Sequence, residues 1–242
     1  MKNRADDPRR KLLIRMLAAG LFAAGPLAAP FARGQALGRR PGKLAPGRSV
    51  YRVTGTVTVN GNPATLDTHI APGDRVVTGP DGELIYAVGD SAFIARPGTE
   101  VVIEAAKASS LIVGGYELLK GKLLSVFGGG RPLRLKCSLA TVGIRGTGVY
   151  MESEPDQAYF CTCYGVTDVE AARDPQSRTT VVSAHHDRPL YILAGQPSGD
   201  NIRNAPFINH TDQELMLIEA LVGREPPFVF PKSDYNPPRR SY

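Results

Sequence analysis

From Val50 onward, short β-prone runs are cut by turn signals about every ten residues, and this spacing constrains the fold more than any other property of the chain. Asn60-Gly61, Pro72-Gly73-Asp74, Pro80-Asp81-Gly82, Gly89-Asp90 and Pro97-Gly98 supply the fixed or positive φ that chain reversals need. Between them lie Tyr51–Val59, which alternates apolar and polar residues, then Arg75–Thr78, Glu83–Val88, Ala92–Ala95 and Thr99–Ala105. The pattern continues through Leu111–Val113, Tyr116–Leu119, Lys122–Phe127, Arg134–Leu139, Gly148–Glu152, Ala158–Tyr164, Thr179–Ala184 and Leu190–Leu193, with Gly128-Gly129-Gly130 as a flexible tip. About a dozen short strands predict an all-β domain over 50–195, built as an antiparallel β-sandwich, jelly roll or β-roll.

One short C-terminal α-helix is predicted within 196–225. Thr211-Asp-Gln-Glu214 has the capping-box spacing, and Gly223 suits a left-handed cap. Leu215, Ile218 and Val222, together with Leu217 and Leu221, fall at helical spacing and predict an apolar stripe docked on the β-domain. The tail, 226–242, holds five prolines and is expected to be extended, with Phe228, Val229 and Phe230 pinned to the surface.

The first 36 residues read as an export signal. Arg9-Arg10-Lys11 precedes an apolar run, Met16 to Ala29, that ends in small residues before Gly34-Gln35-Ala36. The twin arginine points to Tat export; Pro8 and Leu12 depart from that motif and keep Sec as the alternative. The run is shorter than about 18 residues and contains Pro26 near its end, so no transmembrane span is expected after cleavage. Charge follows the same division. Residues 1–36 carry seven Lys/Arg against two Asp/Glu, which takes the net charge from +6 to +1 on cleavage. Four more basic residues lie in a Pro/Gly-rich linker, 37–49, leaving 50–242 at −3, so nucleic acid is excluded as a partner.

Gly55-Thr-Val-Thr-Val-Asn-Gly61, Ala71-Pro-Gly-Asp-Arg-Val-Val-Thr-Gly79 and Gly82-Glu-Leu-Ile-Tyr-Ala-Val-Gly-Asp90 open the domain, and Leu118-Leu-Lys-Gly-Lys-Leu-Leu124 and Thr141-Val-Gly-Ile-Arg-Gly-Thr147 close it. Over roughly 50–170 this series resembles the FecR-like β-domain of bacterial envelope regulators. The resemblance implies a periplasmic domain that acts by contact with a protein or ligand, in signalling or structure. FecR itself relays an iron-siderophore signal to a sigma factor through segments that precede its β-domain; only an export signal precedes Val50 here. Arg145 is expected to hydrogen-bond loop carbonyls at a bend made by Gly143, Gly146 and Gly148.

Cys161 and Cys163 are two apart on a predicted strand and leave it on one face. His185-His186 follow in a loop, and two thiolates with two imidazoles make a tetrahedral set. Zinc is the default ion, with copper or iron as alternatives. A Rieske cluster pairs each Cys with a nearby His, a spacing absent here. A disulfide from Cys137 to Cys161 or Cys163 is the competing reading, and inert thiols a third. His210, just before the capping box, is a further candidate ligand or a group at the helix N-terminus, and His69 reads as a surface residue. No Gly-x-Ser-x-Gly or His-Glu-x-x-His motif is present, and a closed Cys/His site lacks the open position hydrolysis needs. The leading expectation is a non-enzymatic envelope domain; the alternatives are a redox or metal-handling metalloprotein and an iron-responsive sigma regulator. Mass spectrometry of the exported protein should find an N-terminus at Leu37, and an intact Met1 would remove the export reading.

Overall fold

Glu83–Val88 and Ser91–Ala95 are buried at every position, as strands covered on both faces must be. The computed structural model describes residues 40–107, 112–129, 132–195 and 200–228. Among these residues it has fourteen strands in one hydrogen-bonded sheet and one helix, so the all-β class forms as predicted. The export segment 1–36, the start of the linker, Leu111, Gly130, Val229 and Phe230 lie outside the described residues.

In chain order the strands are β1 (Val50–Thr54), β2 (Val57–Val59), β3 (Asn62–Pro63), β4 (Arg75–Thr78), β5 (Glu83–Val88), β6 (Ser91–Ala95) and β7 (Glu100–Ala105). Then come β8 (Val113–Val126), β9 (Leu133–Lys136), β10 (Ala140–Ser153), β11 (Gln157–Ala171), β12 (Asp174–Ser183), β13 (Leu190–Leu193), β14 (Ile202–Asn204) and helix α1 (Asp212–Leu221). Not all are short: β8, β10 and β11 have 14, 14 and 15 residues. Each long strand changes partners along its length. β8 pairs with β7 near its start and with β6 and β10 near its end. β11 pairs with β13 through Phe160 and with β12 from Gly165. This exchange folds one ladder around a single core that includes Phe93, Tyr116, Leu135, Val142 and Phe160. The sheet is mixed rather than wholly antiparallel, because β9 runs parallel to β8 while pairing antiparallel with β10.

Two local expectations change. Tyr51–Val59 is two strands, since the chain turns at Gly55 (φ +61), where a Cβ would lie 2.1 Å from the Asp81 carbonyl oxygen. β1 therefore joins β5 and β2 joins β4, while Asn60-Gly61 form the β2–β3 hairpin. Among the described residues Arg145 bonds no loop carbonyl: its guanidinium reaches the Asp168 carboxylate at 3.2 Å, and the other Asp168 oxygen accepts from the Thr180 hydroxyl at 2.7 Å. The bend lies at a bulge between Arg145 and Gly148, whereas Gly143 stays in register opposite Asp168.

On the outer face of the sheet, Ile85, Ile94, Leu124, Tyr150 and Cys161 stand opposite one another in a row across β5, β6, β8, β10 and β11. Helix α1 packs on the β5, β6 and β8 part of this face. Thr211 is its N-cap and the full capping box with Glu214 forms. Every residue from Glu214 to Leu221 is buried, more than one docked stripe. The segment before β1 covers another side, where Leu44 N–H donates to Leu221 O at 2.9 Å. Arg96 reaches across to Glu214 at 3.1 Å, a buried ion pair that fixes the helix against β6.

A Cβ at Gly148 would lie 2.4 Å from the Tyr164 ring, and that ring is held by a hydrogen bond from its hydroxyl to Glu219. Gly148→Ala should therefore destabilise the domain by about 1–3 kcal/mol, read from the denaturant midpoint; an unchanged midpoint would show that the ring moves without cost.

Candidate metal centre

Cys161 and Cys163 leave β11 on the face opposite Phe160, which belongs to the core. Both are completely buried beneath the outer layer. All three cysteines are free thiols, and Cys137 sits in the core cluster, so the disulfide alternative does not form.

His186 comes from the β12–β13 loop. Asp187 ties this loop: its carboxylate accepts from the Ala184 and His185 backbone N–H at 2.6 and 3.3 Å. His186 itself takes a left-handed φ of 55°, and its N–H donates to Cys163 O at 2.9 Å. That conformation is unusual for a non-glycine residue and turns the imidazole inward. Its Nδ1 lies 3.5 Å from Cys161 Sγ.

His210 completes the group from the loop before α1. Its Nε2 is 3.4 Å from Cys163 Sγ and 3.2 Å from His186 Nδ1. The loop is clasped by Tyr159, whose hydroxyl donates to Pro206 O at 3.0 Å and accepts from Ile208 N–H at 3.3 Å. Asn209, at φ 60°, donates from Nδ2 to Glu152 at 2.7 Å. The His210 ring stacks on Tyr150 at 4.5 Å, and Arg96 covers that tyrosine at 5.3 Å.

Of the four residues predicted as ligands, Cys161, Cys163 and His186 meet, and His210 occupies the fourth place. His185 turns outward instead, where its Nε2 lies 2.9 Å from Asp212 Oδ1. Sequence reasoning missed Asp212, Tyr150, Tyr159 and Asn209. An acidic residue in the first helical turn was the only signal for Asp212, and helix capping already explains such a residue.

In this arrangement the hydrogen-bond partners place one proton on each ring. His210 Nδ1 faces the Ile208 carbonyl at 2.7 Å, so it carries the proton. His186 Nε2 faces Asp212 Oδ1 at 3.0 Å and is likewise the protonated nitrogen. The remaining lone pairs, His186 Nδ1 and His210 Nε2, then point at each other and at two sulfurs. With His186 neutral, four donor atoms converge on one point, and the cluster could hold a metal ion. Protons alone would distribute unevenly. A hydrogen bond from Cys163, together with His186 and His210, pulls the Cys161 thiol down to about 4 against the cost of burial. Burial opposes charge on His186, but Asp212 and the Cys161 thiolate outweigh it and push His186 up to about 9. Burial and the neighbouring Cys161 thiolate raise Cys163.

The spacing of the donors also suits a metal ion. With Zn–S near 2.3 Å and Zn–N near 2.0–2.1 Å, a tetrahedron has S···N edges of about 3.6 Å and an N···N edge of about 3.3–3.4 Å. The observed separations are 3.5, 3.4 and 3.2 Å. All four donor atoms lie within 4.8 Å of one another, room for one ion between them. Cys161, His186 and Asp212 also stand in the order of a nucleophile, base and orienting carboxylate. Cys161 itself is buried.

No family model matches this chain, and no curated protein does. Two crystal structures from Parabacteroides distasonis, at 1.65 Å and 2.50 Å and provisionally described as an anti-sigma factor, are similar to part of it. The first aligns with a TM-score of 0.43 and 12% identity over 54% of this chain and 58% of that one. The second aligns with a TM-score of 0.42 and 14% identity over 62% of this chain and 59% of that one. The chain thus covers less than two thirds of either structure. Among the described residues no helix is long and apolar enough to cross a membrane.

Left-handed backbone occurs at three described non-glycine residues, and two of them, His186 and Asn209, shape this centre. Asn209→Gly and Asn209→Ala both lose the bond to Glu152, but only alanine resists a positive φ. The alanine variant should be less stable than the glycine variant by about 1 kcal/mol; equal denaturant midpoints would show that the loop relaxes.

Proposed function

We propose that this chain is a non-enzymatic, exported β-domain of the bacterial envelope that holds one structural metal ion at Cys161, Cys163, His186 and His210 and acts by binding a protein or ligand. The convergence of two oriented imidazole lone pairs on two buried sulfurs carries the metal reading. Zinc is the default ion for such a set, with copper or iron as alternatives. Four protein donors leave no open position for a reacting water, which supports a structural rather than catalytic ion.

The ion would join β11, the β12–β13 loop and the segment leading into α1. It would hold the helix over the apolar row of the outer face. The N-terminal Arg9-Arg10 signal and the motifs at 55–90 and 118–147 support an exported domain of FecR-like type. The partner is then an envelope protein or ligand met through the β-domain. The sigma-regulator form of this function needs a membrane-crossing segment retained ahead of Val50.

Metal analysis of the purified protein should find one ion per chain, and cobalt substitution should give sulfur-to-cobalt absorption with intense four-coordinate bands. His210→Ala should weaken binding by more than the roughly 10–100-fold typical of losing an outer hydrogen bond, whereas His185→Ala should leave the equilibrium affinity unchanged. Protein without stoichiometric metal, and without sulfur-to-cobalt absorption on cobalt addition, would overturn this function.

A further inference from the structure

The buried centre does not need His185. One hydrogen bond from His186 Nε2 to Asp212 Oδ1 already orients the ring that faces Cys161, yet His185 Nε2 lies 2.9 Å from the same oxygen. His185, His186 and Asp212 bring their ligand atoms within 4.8 Å of one another. The His185 side chain is 47% exposed and that of Asp212 22%, whereas both sulfurs are sealed. Two imidazole nitrogens and a carboxylate suit a borderline divalent ion, with water filling the remaining positions.

His186 belongs to both groups. Its Nδ1 faces Cys161 and His210, and its Nε2 faces Asp212. A neutral imidazole has one lone pair, so the ring serves one group at a time. With the proton on Nδ1 it ligates outside through Nε2; with the proton on Nε2 it ligates inside through Nδ1.

We propose that His185, His186 and Asp212 form a surface capture site for a divalent transition-metal ion, which then passes to Cys161, Cys163, His186 and His210. This step rests on the metal centre proposed above. Metal–ligand bonds change and protons move with them: the His186 Nδ1 proton is lost to water, and Nε2 takes one up from water and donates it to Asp212. The ion leaves His185 Nε2 and the Asp212 carboxylate for two sulfurs and His210 Nε2, and His186 exchanges Nε2 for Nδ1. Protons still on the thiols go to water. Phe207 roofs the passage: its ring lies 4.4 Å from His186 and 4.6 Å from His210 and is itself 49% exposed.

Stopped-flow uptake of Co²⁺ by metal-free protein, followed by sulfur-to-cobalt absorption, tests the route. His185→Ala should slow uptake about tenfold or more, because a capture site with two ligands in place of three holds the ion more weakly. Because the buried donors are unchanged, release to a chelator should slow by the same factor, leaving the equilibrium affinity as in the wild type. Unchanged uptake would overturn the capture site. Faster release with weaker affinity would overturn it too, by making His185 a support of the buried centre. Absence of the sulfur-to-cobalt band in the wild type would instead remove the centre, and the capture site with it.

Discussion

A sheet that is apolar on both faces must be covered twice, and most of this architecture follows from that requirement. The inner face of β5, β6, β8, β10 and β11 closes on itself around the core, which leaves Ile85, Ile94, Leu124 and Tyr150 needing a second cover. Helix α1 supplies it over β5, β6 and β8, and His210 with Arg96 supplies it over Tyr150. Docking the helix fixes where Thr211 starts it, and therefore where His210 and Asp212 stand. Cys161 is the last member of the same row, so the hydrophobic demand that seats the helix also delivers an imidazole and a carboxylate to the thiols.

The polar parts of the outer layer depend on one another in turn. Glu214 closes the capping box and receives Arg96, Arg96 lies over Tyr150, and Tyr150 stacks on His210. Each of these groups would be costly to bury alone. Together they form a continuous layer of charge and aromatic contact between the helix N-terminus and the sulfurs, and the position of His210 is set by packing as well as by hydrogen bonds.

Much of this was legible in the sequence because it depends on short-range rules. Cys161 and Cys163 share a face by strand alternation, and Thr211, Glu214 and Gly223 bound the helix as their spacing predicts. The pairing of His185 with His186 was not resolvable, because a left-handed φ at His186 sends adjacent side chains to different places, and no residue type announces that conformation. Similarly, β8 runs through Gly121 at φ +89, where the sequence predicts a break between two strands. Tyr51–Val59 alternates as one strand should, yet divides at Gly55 because Asp81 approaches from across the sheet. In each case a long-range contact decided what local pattern left open.

The donors at the centre come from segments far apart along the chain: His186 lies 25 residues beyond Cys161, and His210 lies 47 beyond Cys163. Such a site cannot form on a nascent strand; it closes only after β11, the β12–β13 loop and the approach to α1 have met, and loop closure has been overcome twice. If these donors hold an ion, as proposed, the C-terminal portion from β11 to α1 would open and close as one cooperative unit whose local stability depends on that ion. A chelator would then act as a selective denaturant, loosening this portion while the strands before β11 keep their own pairing.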